Sequence, residues 1–347
     1  MASVTILIPT YNRPNELRRN LLYMKKAENP FPIIVLDGSR SEFRESNKKI
    51  SNDLGASYPL IPDDYLHFGK RIYLACRDYV KTKYVVIVGD DDFMIPDGVK
   101  ICADFLDKHD DYSCAIGNTK CLVYSDRAMA KGGFVFQDRL SLPLILKEES
   151  FLQRYLRLIA FCDAGCSPLF YGVRRLEHCL EIFKHIESDM MLSAVEQTSN
   201  TLTCIFGKTM GLNVEYDIRD FSCPTDRSSD RNDPVTYLSN KDMEKLRPIY
   251  GEYLKKYENL SDELTNYVLD QFVKLPLKPV ENFQDTILVP PSRFVFLKGQ
   301  MSRFFGYQIS KYVPSLTAKH FNISLKTVEC LRYAMTFRKG ENSHFKP

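Results

Sequence analysis

The sequence predicts an α/β protein, a parallel sheet with an antiparallel extension and a mainly helical C-terminal region. Two observations carry this. Short β-branched and apolar runs alternate with amphipathic stretches of roughly ten to fifteen residues, the pattern of βαβ units. Those runs also end in polar turn clusters, Thr10-Tyr11-Asn12-Arg13, Asp37-Gly38-Ser39 and Asp90-Asp91-Asp92, which a parallel sheet gathers at the carboxyl edge where such folds bind ligands.

Ser3 to Pro9 reads as the first strand, and Asn12 with Pro14 starts a helix running to about Glu28. Pro32 to Leu36 reads as the second strand, and residues 42–54 as a helix. A short strand is expected near Ala56 to Leu60, and a helix over Gly69 to Lys81. The run Tyr84-Val85-Val86-Ile87-Val88-Gly89 is a buried strand bounded by turn signals, followed by a helix from Pro96 to about His109. Tyr112 to Ile116, Lys120 to Tyr124 and a hairpin around Lys131-Gly132-Gly133 form the antiparallel extension. Helices are expected at 148–160, 174–185 and 189–206, a polar loop over 216–236, and amphipathic helices near 239–257 and 261–275. Neither an internal repeat nor a low-complexity tract is present.

At 347 residues, 44% hydrophobic and 26% charged, the composition is that of a globular protein with a large core. No apolar run is long enough for a membrane span, and a cytoplasmic protein is expected. The ten cysteines lack repeated Cys-x-x-Cys spacing, so a zinc ribbon and a disulfide scaffold are excluded. Cys162 and Cys166 are the only close pair, read as buried thiols rather than a metal site. Charge is uneven: Arg293 to Pro347 carries ten Lys and Arg against Glu329 and Glu341, a balance of +8 in a chain of net charge +3. Aromatic residues interleave with it, including Phe294, Phe304, Tyr312 and Tyr333. Such a tail suits an anionic membrane surface or packs as helix on the core. No nucleic-acid module accompanies it, so no nucleic-acid partner is expected.

The three consecutive aspartates are the most telling feature. Like charges this close repel unless a cation sits among them, and Mg²⁺ or Mn²⁺ takes oxygen ligands of this kind. A solvated acidic turn ahead of the Pro96 helix is the alternative. An EF-hand is disfavoured, because the loop glycine and glutamate are missing. Neither a Gly-x-Gly-x-x-Gly nor a Walker A motif occurs, which disfavours dinucleotide and P-loop readings.

Three motifs together, Ile6-Leu7-Ile8-Pro9-Thr10-Tyr11-Asn12-Arg13, Val35-Leu36-Asp37-Gly38-Ser39, and Asp91-Asp92 with Pro96 four positions on, resemble the family 2 glycosyltransferases of GT-A fold over residues 3–110. A weaker similarity continues from Pro168-Leu169-Phe170-Tyr171-Gly172-Val173-Arg174-Arg175 to Glu187-Ser188-Asp189 on the acceptor side. The resemblance implies a GT-A domain over 1–237, divided into a nucleotide-sugar half (1–110) and an acceptor half (111–237), followed by a basic helical region over 238–347. It implies a nucleotide-sugar donor, a UDP-sugar foremost, Mn²⁺ or Mg²⁺ as cofactor, and inversion at the anomeric carbon. Thr10, Tyr11, Arg13, Asp37, Lys70, Asp90 and Asp91 would border the donor. Asp92 and Asp90 would hold the metal. Asp189 would be the base, with Glu196 in reserve, and Arg219 and Arg227 would reach the diphosphate. Gly89 stands where that family often has an acid. The acceptor would be a saccharide or a lipid-linked one in cell-surface polysaccharide synthesis, with the protein peripheral at the inner face of the membrane. Nucleotidyl transfer to a sugar phosphate and a non-catalytic binding role are the competing readings.

Overall fold

The computed structural model describes residues 3–123, 135–140, 145–161, 168–190, 192–220, 240–274 and 324–336. Its first strand, β1 (Val4–Thr10), is buried along its whole length, as a central parallel strand covered on both faces must be. It pairs in parallel with β2 (Ile33–Asp37), where Thr10 lies opposite Asp37, and with β3 (Tyr84–Ile87). These strands and the helices between them, α1 (Pro14–Lys26), α2 (Ser41–Asp53) and α3 (Phe68–Leu74), build the parallel half expected from the sequence. The expected strand near Ala56 is a correction: only Ser57 bridges to Ile34, since Pro59 and Pro62 supply no backbone donors to extend a ladder. The helix expected to reach Lys81 ends at Leu74 and continues as a π-helical turn, Ala75–Tyr79.

Beyond β4 (Phe93–Met94) and α4 (Pro96–Leu106) the sheet turns mixed. The two expected pieces between 112 and 124 are one strand, β5 (Tyr112–Val123), paired antiparallel with β6 (Val135–Leu140); the expected turn at Lys131 lies outside the described residues. The strand β7 (Val173–Arg175) joins β3 to β5, antiparallel to both. The largest correction concerns residues 216–220. Instead of opening a polar loop they finish a long strand, β8 (Lys208–Asp220), which runs parallel to β5 and antiparallel to β4. Among the described residues the sheet has eight strands, ordered β2-β1-β3-β7-β5-β8-β4 with β6 beside β5.

Alternation along the strands divides the core in two. Ile6, Ile8, Val86 and Val88 face α1, α4 and the last described helix, while Leu7, Leu36, Val85 and Ile87 face a second layer on the other side. That second layer holds α5 (Phe151–Phe161), α6 (Leu176–Phe183), α7 (Leu192–Phe206), α8 (Asn240–Glu258) and α9 (Asp262–Lys274). The last described helix, α10 (Leu325–Thr336), buries Val328, Cys330, Leu331 and Ala334 on the α1 side, and Lys326 pairs with Glu28 just past the end of α1. Thus the described part of the basic end is a packing helix. Cys76, Cys102, Cys114, Cys179, Cys204 and Cys330 are buried free thiols; Cys162 and Cys166, the pair read from the sequence, lie outside the described residues. Among the described residues, no helix is long and apolar enough to cross a membrane.

The docking of α10 sets a measurable contrast. Truncating fully buried Leu331 to Ala is expected to cost about 2–5 kcal/mol in chemical denaturation. The same change at exposed Leu325 is expected to stay within about 0.5 kcal/mol.

Candidate active site

The aspartate turn leaves β3 and is gripped from α1. The local sequence arranges this: Asn12 takes a left-handed conformation (φ 56°), and Pro14 starts α1 at once. Arg13 then projects across the sheet edge. Its Nη1 donates to Asp90 Oδ1 at 2.8 Å and its Nη2 to Asp91 Oδ2 at 2.7 Å. The Thr10 hydroxyl donates to Asp90 Oδ2 at 2.7 Å, so both oxygens of Asp90 are engaged by the protein. About two turns of helix further, Asn20 Nδ2 donates to the carbonyls of Gly89 (3.1 Å) and Asp92 (2.6 Å), and Arg19 Nη2 to that of Asp91 (3.3 Å).

The carboxylates of Asp91 and Asp92 converge. A Cβ built on Gly89 would stand 2.9 Å from Asp91 Oδ1 and 3.0 Å from Asp92 Oδ2, so any side chain at 89 would fill the space these oxygens border. This is the physical reason for a glycine there. Asp92 Oδ1 points the other way and accepts the Asp220 N–H at 3.0 Å. Burial pushes the Asp90 carboxyl up to about 7, against the pull of Arg13 and with a push from Asp91. Burial and then Asp91 raise Asp92 well above the carboxylate range. Asp92 is buried and Asp91 partly so, and the oxygens that border this space are of the hard kind that suits a divalent cation. Among the described residues no three His, Cys, Asp or Glu side chains form a complete cage, so further ligands would come from whatever the cation carries.

The second pole of the crevice is Asp37, at the end of β2. It is buried, and accepts from Ser39 N (2.8 Å), Asn47 Nδ2 (2.9 Å) and the Tyr58 hydroxyl (2.6 Å). Between Asp37 and Asp90 lies a residue that the sequence reading missed. Arg71, buried in α3, donates through Nη1 to the carbonyls of Thr10 (2.8 Å) and Leu36, while its buried Nε has no partner. Gly38 makes room for it: a Cβ there would meet the guanidinium at 2.6 Å. Burial draws Arg71 down to about 10, opposed by Asp37 and Asp90. The expected basic residue, Lys70, is half-buried on the same helix. Helical spacing was the available signal, since one residue is a rotation of about 100° and decides which side chain enters the crevice. Tyr11 is 48% exposed at the tip of β1.

On the far side, Arg219 stands on β8 rather than on a loop. Its guanidinium lies 3.7 Å from the Tyr171 ring centroid, and its Nε is 3.5 Å from buried Asp217. Charges on Glu196, Asp91 and Asp92 all bear on Tyr171, so these acids, Arg219 and the ring share one neighbourhood. Asp189 takes part in a different cluster: Lys245 of α8 reaches Glu187 and lies 3.3 Å from Asp189 Oδ1. The neighbouring Met190 carbonyl bonds His67, the residue that opens α3. Arg174 and Arg175, matched to paired basics on the acceptor side, instead point inward. Arg174 bonds Ser199 and the Leu169 carbonyl, and Arg175 the carbonyls of Leu106 and His109. Arg227 lies outside the described residues.

Residues 5–166 match the family model described as Glycosyl transferase family 2. No curated protein matches the chain. Among solved structures, S. aureus TarS 1-349 is similar with a TM-score of 0.51 at 16% identity, covering 98% of this chain and 92% of that one. The same protein in complex with UDP-GlcNAc gives 0.55 at 16% identity with the same coverage. A longer TarS structure gives 0.50 at 16% identity, covering 96% of this chain and 53% of that one. At such identity the likeness is one of fold, the GT-A arrangement of a parallel half and an antiparallel extension.

Removing the Tyr58 hydroxyl with Tyr58→Phe deprives buried Asp37 of its shortest donor. The expected cost is about 1.5 kcal/mol of unfolding free energy, read by urea denaturation.

Proposed function

We propose that this glycosyltransferase, whose residues 5–166 form a family 2 domain, moves a sugar from a nucleotide-sugar donor to a saccharide or lipid-linked acceptor, with inversion and with the help of Mn²⁺ or Mg²⁺. The observation that carries the reading is the convergence of Asp91 Oδ1 and Asp92 Oδ2 over Gly89, beside Arg13 and at the carboxyl edge of the parallel strands. Asp92 and Asp91 would hold the cation; Asp90, with both oxygens taken by Thr10 and Arg13, serves to fix Arg13 instead. When bound, the metal supplies positive charge against the departing diphosphate.

Asp37, each of whose oxygens already accepts from the protein, and buried Arg71 border the place of a nucleobase, and exposed Tyr11 offers it a ring face. UDP is the first candidate, since the similar TarS has been crystallised with UDP-GlcNAc and with UDP. Thr10 and Lys70 border the same crevice, and Arg219 stands on the diphosphate side, anchored to Tyr171. Asp189 acts as base: it takes the proton of the acceptor hydroxyl, whose oxygen bonds the anomeric carbon as the bond to the diphosphate oxygen breaks. Lys245 keeps Asp189 paired until the acceptor arrives. Glu196, near Tyr171, is the reserve. The basic, aromatic stretch from Arg293 onward favours a membrane-proximal, lipid-linked acceptor at the inner face of the membrane, as in cell-surface polysaccharide assembly.

Calorimetry with UDP is expected to show binding that strengthens with Mn²⁺, and Asp92→Ala is expected to erase the Mn²⁺ dependence while the circular dichroism spectrum stays unchanged. Metal-dependent binding that survives Asp92→Ala would sink the assignment. Asp189→Ala is expected to lower kcat by about 10²–10⁴ with donor affinity retained. A full loss in Glu196→Ala and not in Asp189→Ala would transfer the base to Glu196.

A further inference from the structure

We propose that Arg19 and Asp220 are a positioning pair, which sets the carboxylate of Asp92 for the cation of the donor site. The inference rests on the metal-dependent reading above. Arg19 Nη2 lies 2.9 Å from Asp220 Oδ2, and the two side chains are 4% and 0% exposed. The same Nη2 donates to the Asp91 carbonyl at 3.3 Å, and the Asp220 N–H donates to Asp92 Oδ1 at 3.0 Å. One ion pair therefore reaches the aspartate turn twice, once through the backbone of Asp91 and once through the carboxylate of Asp92. With Oδ1 tied to the end of β8, the other oxygen of Asp92 is left over Gly89 beside Asp91.

Stability alone gives little reason for such a pair. Removing two charges from water costs about as much as their attraction returns, and apolar replacements of both partners are often neutral or better. Orientation is what the pair provides, in the way that outer partners aim the ligands of a metal site. Asp220 also lies well beyond residue 166, where the family match ends. The donor site is thus completed by a strand outside the matched segment, and the functional unit extends at least to the end of β8.

The test uses the full chain. Either single truncation would remove one half of a buried ion pair, so the informative variant is the double Arg19→Met/Asp220→Leu, accompanied by Arg19→Lys. For the double variant the expected result is a thermal midpoint close to wild type, metal-free UDP binding unchanged by calorimetry, and a Mn²⁺ concentration for half-maximal binding raised about tenfold or more. Arg19→Lys keeps the charge but cannot span both partners, and is expected to raise that concentration by a smaller factor. Wild-type Mn²⁺ dependence in a folded double variant would make the pair a structural contact and overturn the proposal. Should the double variant fail to fold, Arg19→Lys decides by the same ratio. Wild-type protein whose UDP binding ignores Mn²⁺ defeats the metal reading itself, a result distinct from both.

Discussion

The structure around the crevice is organised by one electrostatic constraint. Asp90, Asp91 and Asp92 are adjacent in sequence, with Asp90 and Asp92 buried and Asp91 partly so, a combination that neither burial nor mutual repulsion favours. Each acid escapes in a different direction. Asp90 turns to Thr10 and Arg13, Asp91 shares Arg13, and Asp92 hangs from the main chain of Asp220. The groups that receive them come from β1, from the turn ahead of α1 and from β8, while Arg19 and Asn20 on the buried face of α1 hold the carbonyls of the same turn. The oxygens left bordering the space above Gly89 are Asp91 Oδ1 and Asp92 Oδ2.

The parallel half was legible because its physics is local. A strand buried on both faces must read as a continuous apolar run, and Val4 to Pro9 and Tyr84 to Val88 can hardly be anything else. Turn residues at their ends then placed Thr10, Arg13, Asp37 and the three aspartates in one crevice before any coordinates. The strand β8 escaped for a converse reason. Leu212, Val214, Tyr216 and Ile218 do alternate with polar residues, a period of two that was there to be read. Asp217, Arg219 and Asp220 looked like loop residues because charge was taken as a sign of exposure, whereas tertiary partners bury all but the edge of them. Nothing local announces that Asp220 will meet Arg19, two hundred residues earlier in the chain.

Arg71 illustrates the limit at finer scale. Lys70 and Arg71 are equivalent by composition, and only the phase of α3 against the sheet separates the one on the rim from the one beneath the crevice. In the same way, the paired basics Arg174 and Arg175 match a familiar acceptor-side pattern, yet both are spent on backbone carbonyls within the core. Residue type named the chemistry available; the packing chose which copy of it faces the ligand.

The contact between α10 and α1 has a bearing on how the molecule is made. Lys326 meets Glu28 across a separation of 298 residues. A growing chain exposes α1 long before α10, so the apolar back of the helix that grips the acidic turn stays uncovered until α10 has been made. Closing so long a loop costs only logarithmically more than closing a short one, but the contact forms late and slowly. A nascent chain stalled before α10 would leave that face of α1 bare.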